Sequence, residues 1–256
     1  MIYRGQIKIE LKYIMKSAIT SMHKEPFYHW IIDDFFPLDK AQRISENFPA
    51  YDDERWYFYE NLIENKKTLQ NWLRFPPEIY QTLQDLCSHD FIKTIKSITG
   101  IKNLYPDYGL HGGGLHIHGR GGNLNIHKDY SIHPRLKLQR KLNLIVYMSD
   151  DWDPAWGGGL ELWSNNPETN RPKELIKTIE PKFNRAILFD TTQNSWHGLP
   201  KLLTCPEGKY RKSIAVYYLT DVYKNTEERY RALFVPTEEQ LTDPEIVKLC
   251  EDRSKK

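Results

Sequence analysis

The sequence predicts a mainly β protein with flanking helices, an α+β chain whose core is a double-stranded β-helix, the jelly-roll barrel. Two observations predict it. From about residue 108 onward, eight short apolar or alternating runs follow one another, separated by Gly-, Pro- and Asn-rich turns. Ahead of them, apolar residues recur at three- and four-residue intervals, which is a helical pattern.

In chain order, residues 1–25 are mostly polar and give no clear element. "PFYHWIIDDFFP" (26–37) reads as a short strand rich in aromatic and β-branched residues, stopped by Pro37. Pro37 then suits the first turn of a helix through Leu38, Ala41, Ile44 and Phe48, which Pro49 ends. Between Glu78 and Thr99, residues Ile79, Leu83, Leu86, Cys87, Ile95 and Ile98 keep helical spacing, and Gly100 follows as a C-terminal stop. The eight strand runs are "GLHIHG", "GGNLNIH", "KLNLIVYMS", "GLELWS", "ELIKTIEP", "RAILFD", "HGLPKLL" and "RKSIAVYYLT". After residue 222 the sequence returns to charged, helical or irregular texture, with a disordered end. The expected organisation is therefore a helical N-terminal region of mixed helix and strand (1–107), a barrel (108–222) and a C-terminal tail (223–256).

Composition narrows the function. With 39% apolar and 13% aromatic residues the chain can bury a sizeable core. A net charge of +2 from 36 basic and 34 acidic side chains gives no electrostatic case for nucleic acid or an acidic membrane. Cys87, Cys205 and Cys250 are odd in number, far apart and without a CxxC pair, so neither a disulfide framework nor a zinc-thiolate site is expected. No run approaches the length of a membrane span, and the first residues lack the apolar stretch of a signal peptide. The expectation is a soluble, cytoplasmic protein with reduced cysteines.

The chemistry begins in "GGNLNIHKDYSIH" (121–133). His127 and Asp129 stand at i and i+2, so a strand turns both to one face. Two ligands hold a catalytic metal poorly. "NSWHGLP" offers a third, His197, just after "RAILFD". Two histidines and one carboxylate make the facial triad that leaves three coordination positions open on a non-haem iron. Fourteen positions on, Arg211 opens a strand with Ser213 and Ala215 on the same face. A guanidinium grips a carboxylate at two points, a hydroxyl adds a hydrogen bond, and the small Ala215 leaves room. Lys209 and Lys212 are the other cations at this point. Strand alternation turns Lys212 away from Arg211.

In this order, "HKD", "LNLIVYMSDDWDPAWGGGLELW", "IEPKFNRAILFD", "WHGLP" and "RKSIAVYYLT" resemble the Fe(II)- and 2-oxoglutarate-dependent oxygenases, and among them the prolyl 4-hydroxylase-like branch. "PFYHWIIDDFFP" resembles the strand and helix upstream of that barrel. The resemblance covers roughly residues 108–222. It implies that His127, Asp129 and His197 bind Fe(II) and that Arg211 pairs with the distal carboxylate of 2-oxoglutarate. It gives Tyr147 as a cosubstrate hydrogen-bond donor and Ser213 as a helper. It also implies a dioxygenase that uses O2, with ascorbate as a further requirement, and releases succinate and CO2. The reaction expected is hydroxylation of an unactivated C–H bond, first of all in a prolyl residue of a protein or peptide, with a small-molecule substrate as the other option. The intact Asp129 favours hydroxylation over halogenation, because the related halogenases lack that carboxylate.

Two readings from other classes compete. One is a non-catalytic jelly-roll module that binds glycan or peptide, its metal residues vestigial. The other is a cupin-type metalloenzyme built on "HIH" (116–118), independent of 2-oxoglutarate. A cupin would carry a carboxylate a few residues after its HxH, where this chain has Gly119, Arg120, Gly121 and Gly122. The simpler expectation for His116 and His118 is that one packs in the barrel and the other faces solvent, with the option that one of them lines the cosubstrate pocket. The segment 130–141, with Arg135, Lys137, Arg140 and Lys141, is expected to overhang the metal as a charged hairpin, and it and the loop 164–174 are expected to contact substrate. "WGGGLELW" lacks the Gly-Lys-Ser/Thr of a phosphate loop and reads as a tight turn between strands.

Overall fold

The structure is a computed structural model and describes residues 21–192 and 194–255. All eight predicted strand runs form strands. In chain order the strands are β1 (Met22–His23), β2 (His29–Ile32), β3 (Tyr57–Asn61), β4 (Glu64–Leu69), β5 (Tyr105–Pro106), β6 (Gly114–His118) and β7 (Asn123–Lys128), then β8 (Gln139–Tyr147), β9 (Leu160–Asn166), β10 (Arg171–Ile179), β11 (Ala186–Asp190), β12 (Trp196–Leu199), β13 (Arg211–Thr220) and β14 (Leu233–Phe234). Among the described residues four α-helices accompany them: α1 (Leu38–Glu46), α2 (Pro77–Leu86), α3 (His89–Thr99) and α4 (Pro244–Ser254).

The strands form one curled antiparallel sheet in the order β1-β2-β11-β8-β13-β6-β4-β7-β12-β9-β10. The curl comes from β4. Its residues 67–69 pair with β6, while Glu64 and Asn65 pair with β7, so one strand belongs to both walls. The chain is mainly β with few helices, and the jelly-roll expectation fits this arrangement.

Alternation along β8 shows what each face does. Leu142, Leu144 and Val146 point outward into the largest core cluster, where Ile44, Ile79, Leu83, Phe91 and Ile95 of α1, α2 and α3 cover the sheet. Ile145 and Tyr147 point inward with Leu160, Leu162, Ile187 and Phe189. The helices thus stiffen one wall from outside, and its inner face is left free for a site.

Three expectations change. The helical pattern over 78–99 resolves into two helices. Ser88 breaks it, because its Oγ accepts a hydrogen bond from the Phe91 amide at 3.2 Å and starts α3 afresh. Gly100 ends α3 with a left-handed φ of 72°. Residues before the barrel are not a purely helical region: β1, β2, β3 and β4 lie there beside α1, α2 and α3 and join the barrel's own sheet, while residues 1–20 fall outside the described ones. The C-terminal tail carries α4 and adds a strand to the sheet as well. β14 extends β7's second edge beyond β4, with Leu233 opposite Lys128 and Phe234 opposite His127. No helix among the described residues is long and apolar enough to cross a membrane.

Candidate active site

β7 and β12 lie side by side with His127 and His197 as direct register partners. Just beyond them the register shifts, and Gly198 lets the backbones approach. A Cβ there would stand 2.8 Å from the carbonyl oxygens of both Leu124 and Asn125. The two imidazole centroids are 4.4 Å apart. Each ring is oriented by the carbonyl two residues before it: His127 Nδ1–H donates to Asn125 O at 2.9 Å and His197 Nδ1–H to Ser195 O at 2.9 Å. A carbonyl only accepts, so each Nδ1 carries the proton and each Nε2 presents a lone pair. Asp129 completes the group, with Oδ1 3.7 Å from His127 Nε2 and Oδ2 3.9 Å from His197 Nε2. The ligand atoms of the three residues lie within 4.8 Å of one another, and all three residues are buried.

Asp129 Oδ2 has no hydrogen-bond partner although it is buried. A buried acceptor left unmatched beside two Nε2 lone pairs is what a cation would satisfy. Burial alone would raise the Asp129 carboxyl. The Arg140 charge and the histidine beside it override this and hold it far below the usual carboxylate range. Burial, reinforced by His127, depresses His197 to about 4, so it is neutral and ligand-ready at neutral pH. Phe234 stacks on His127 with centroids 4.9 Å apart, and Phe189 packs edge-on to His197 at 4.8 Å.

Behind the triad a cavity of about 410 Å³ runs inside the sheet to Arg211. Arg211, Ser213 and Ala215 of β13 all line it, as the spacing predicted. Lys212 points the other way, its Nζ reaching Ser45 O at 3.4 Å, and Lys209 pairs with Asp151 at the surface. Arg211 is 3% exposed, and its Nε donates to Gly158 O at 2.7 Å. Gly158 has a φ of +80°, and a Cβ on it would sit 2.8 Å from Arg211 Cδ. The "WGGG" turn is thus shaped to seat the guanidinium. Tyr147, fully buried, lies 4.9 Å beneath that guanidinium and its hydroxyl has no partner.

Residues 113–219 match the profile of the 2OG-Fe(II) oxygenase superfamily. The match spans β6 through most of β13, the strands that carry the candidate site. Mouse prolyl 3-hydroxylase OGFOD1 is 24% identical over 200 residues, 77% of this chain and 34% of that protein, so the chain spans about a third of that relative's length. Among solved structures, a Pseudomonas putida prolyl-4-hydroxylase superposes with a TM-score of 0.55 at 15% identity, covering 83% of this chain and 100% of its own. A Trichoplax adhaerens prolyl hydroxylase, solved with a hypoxia-inducible-factor peptide fragment, gives 0.55 at 14% identity over 84% of this chain and 93% of its own. These structures share the oxygenase fold. That superfamily's description names Fe(II) and 2-oxoglutarate, and His127, Asp129 and His197 of this chain form a candidate metal site.

The cupin alternative finds no support in the geometry. His116 and His118 pair across β6 with Ser213 and Arg211 and so share the inward face at the Arg211 end of the cavity. Among the described residues, the grouped metal-ligand candidates are His127, Asp129 and His197, without either of them. The expectation that one of the two faces solvent is likewise corrected, because residues two apart on a strand share a face.

Sequence reasoning missed Arg140. It is no rim cation: it is 2% exposed, its Nη1 lies 3.2 Å from Asp129 Oδ1 and its Nη2 donates to His111 O at 2.7 Å. Its guanidinium is pressed between Tyr130 and Tyr217, 3.4 and 3.3 Å from their ring centres. Lys141 is also turned in, onto Asp190. The tip of the 164–174 loop reaches Lys128 through Asn170 rather than the cavity. Trp156 is half-buried and packs edge-on to Trp152.

Proposed function

We propose that this chain is an Fe(II)- and 2-oxoglutarate-dependent hydroxylase of an unactivated C–H bond, with a prolyl residue of a protein or peptide as its first-choice substrate and residues 108–222 as its catalytic core. The observation that carries this is one cavity lined both by the His127–Asp129–His197 cluster and by Arg211. In this reading the three side chains hold Fe(II) through His127 Nε2, His197 Nε2 and Asp129 Oδ2, which supplies O2 activation once 2-oxoglutarate is bound. Arg211 takes the distal carboxylate of 2-oxoglutarate, its planar fork fixed by the Gly158 carbonyl, and Tyr147 donates its free hydroxyl. Ser213 and Ala215 shape the wall between. Burial raises the Tyr147 hydroxyl, which keeps it protonated as a donor. The mainly apolar inner wall of Ile145, Leu160 and Phe189 excludes bulk water from the reacting centre.

The substrate would enter past cavity-lining residues outside the triad and the Arg211 anchor, among them Tyr59, Tyr230, Arg231 and Arg253. The prolyl preference is drawn from the names of the relatives. Incubation of the Fe(II)-loaded chain with 2-oxoglutarate and a library of proline-containing peptides tests it. The reading expects succinate release coupled to a gain of one oxygen atom on a peptide. Succinate formed equally with and without every peptide would count against a peptide substrate, and no succinate under any condition would favour a binding module.

A further inference from the structure

We infer that His118 is a third donor to the distal carboxylate of 2-oxoglutarate, beside Arg211 and Tyr147. This rests on the proposed function, and it concerns a residue that no family pattern in the sequence singled out. β8, β13 and β6 are consecutive neighbours in the sheet. Their register sets Tyr147 opposite Ser213 and His118 opposite Arg211. A hydroxyl, a guanidinium and an imidazole therefore stand on one inward face, on three adjacent strands, and His118 and Arg211 both line the cavity.

His118 is 2% exposed, and among the described residues neither of its ring nitrogens has a hydrogen-bond partner. The histidines of the triad differ, since each spends its Nδ1 on a backbone carbonyl. A buried imidazole without partners carries an unrelieved desolvation cost. The Tyr147 hydroxyl, two strands away, faces Arg211 and makes no well-formed hydrogen bond among the described residues. Two unmatched polar groups flanking one buried guanidinium make a ready-made cradle for an anion. Burial, with Arg211 and Lys66 nearby, holds His118 neutral, so it offers one N–H and adds no charge. A carboxylate has about four lone-pair positions, enough to accept from Arg211, Tyr147 and His118 together. The arrangement selects a 2-oxo diacid over a keto acid that lacks the second carboxylate.

The test is calorimetric titration of the full chain loaded with Mn(II), using two probes. 2-Oxoglutarate has the distal carboxylate, whereas oxalate offers only a metal-chelating head. His118→Phe is expected to raise the Kd for 2-oxoglutarate about ten-fold, the size of one lost hydrogen bond to a charged group, and to leave the Kd for oxalate within about two-fold. If His118→Phe does not fold, His118→Leu is read by the same comparison. An unchanged Kd for 2-oxoglutarate, or equal weakening of both probes, overturns the inference. A wild-type chain that binds Mn(II) and oxalate but not 2-oxoglutarate overturns the parent reading instead.

Discussion

Arg140 and Asp129 form a fully buried ion pair, 3.2 Å between Nη1 and Oδ1, with the guanidinium held flat between the rings of Tyr130 and Tyr217. The pair occupies one oxygen of the carboxylate and leaves Oδ2 free. It also joins the candidate metal site to the segment 130–141, whose backbone is in turn bound to residue 229. Arg229 Nη2 donates to Asp129 O at 3.3 Å. The C-terminal segment therefore holds the backbone of Asp129 while Arg140 holds its carboxylate.

Removing the guanidinium leaves Asp129 buried and uncompensated. Arg140→Gln is expected to lower the stability of the metal-free chain by about 3 kcal/mol, measured by urea denaturation. A loss below about 1 kcal/mol would show that the pair contributes little beyond an exposed one.

Arg211→Lys keeps the charge but loses the fork and the Nε bond to Gly158 O. It is expected to weaken 2-oxoglutarate binding by at least about ten-fold without changing Mn(II) affinity. Gly158→Ala tests the same placement from the turn, because its Cβ would collide with Arg211 Cδ. Weakened cosubstrate binding is expected there too. Wild-type affinity in both variants would move the anchor to another residue.

Phe234 is 5% exposed and stacks on His127 from the C-terminal segment. Phe234→Ala is expected to destabilise the chain by about 3 kcal/mol and to raise the Kd for Mn(II), because the ring that braces His127 is gone. Lost stability with unchanged metal affinity would make Phe234 a packing residue only.

His29 gives a pH signature. It is fully buried, its Nδ1–H donates to Phe27 O at 2.9 Å, its Nε2 has no partner and it stacks on His23 at 4.8 Å. Burial, with smaller contributions from His23 and Lys177, lowers it from 6.5 to about 4. Between those values the unfolded chain binds a proton that the folded chain refuses, so His29 makes stability fall as pH drops from 6.5 towards 4. Above 6.5 it contributes no slope. His29→Phe is expected to flatten that part of the stability–pH curve. Identical slopes in the two proteins would assign the acid sensitivity elsewhere.

The legible parts of this chain are those whose information is local. His127 and Asp129 stand out because a strand forces i and i+2 together, and Arg211 separates from Lys212 by the same rule. The eight strand runs are bounded by Gly, Pro and Asn in the sequence itself. What stays hidden depends on partners distant in sequence. Nothing near Arg140 announces that Tyr130 and Tyr217 will enclose it, and nothing in the charged tail marks Phe234 as the neighbour of a residue 107 positions earlier. For His118 the sequence offered only that one histidine of "HIH" packs in the barrel or lines the cosubstrate pocket. Strand alternation turns both to one face, and the register with β13 shows that Arg211 is opposite His118. The split between α2 and α3 turned on a single side-chain cap at Ser88, which apolar periodicity does not record.

The most direct measurement is an anaerobic absorption titration of the chain with Fe(II) and then 2-oxoglutarate, for wild type, His127→Ala and Arg211→Lys. The account predicts a metal-to-ligand charge-transfer band in the wild type, none in His127→Ala, and in Arg211→Lys the same band at a higher 2-oxoglutarate concentration. A band of undiminished strength and midpoint in His127→Ala, or no band in a folded, iron-loaded wild-type chain, would contradict it.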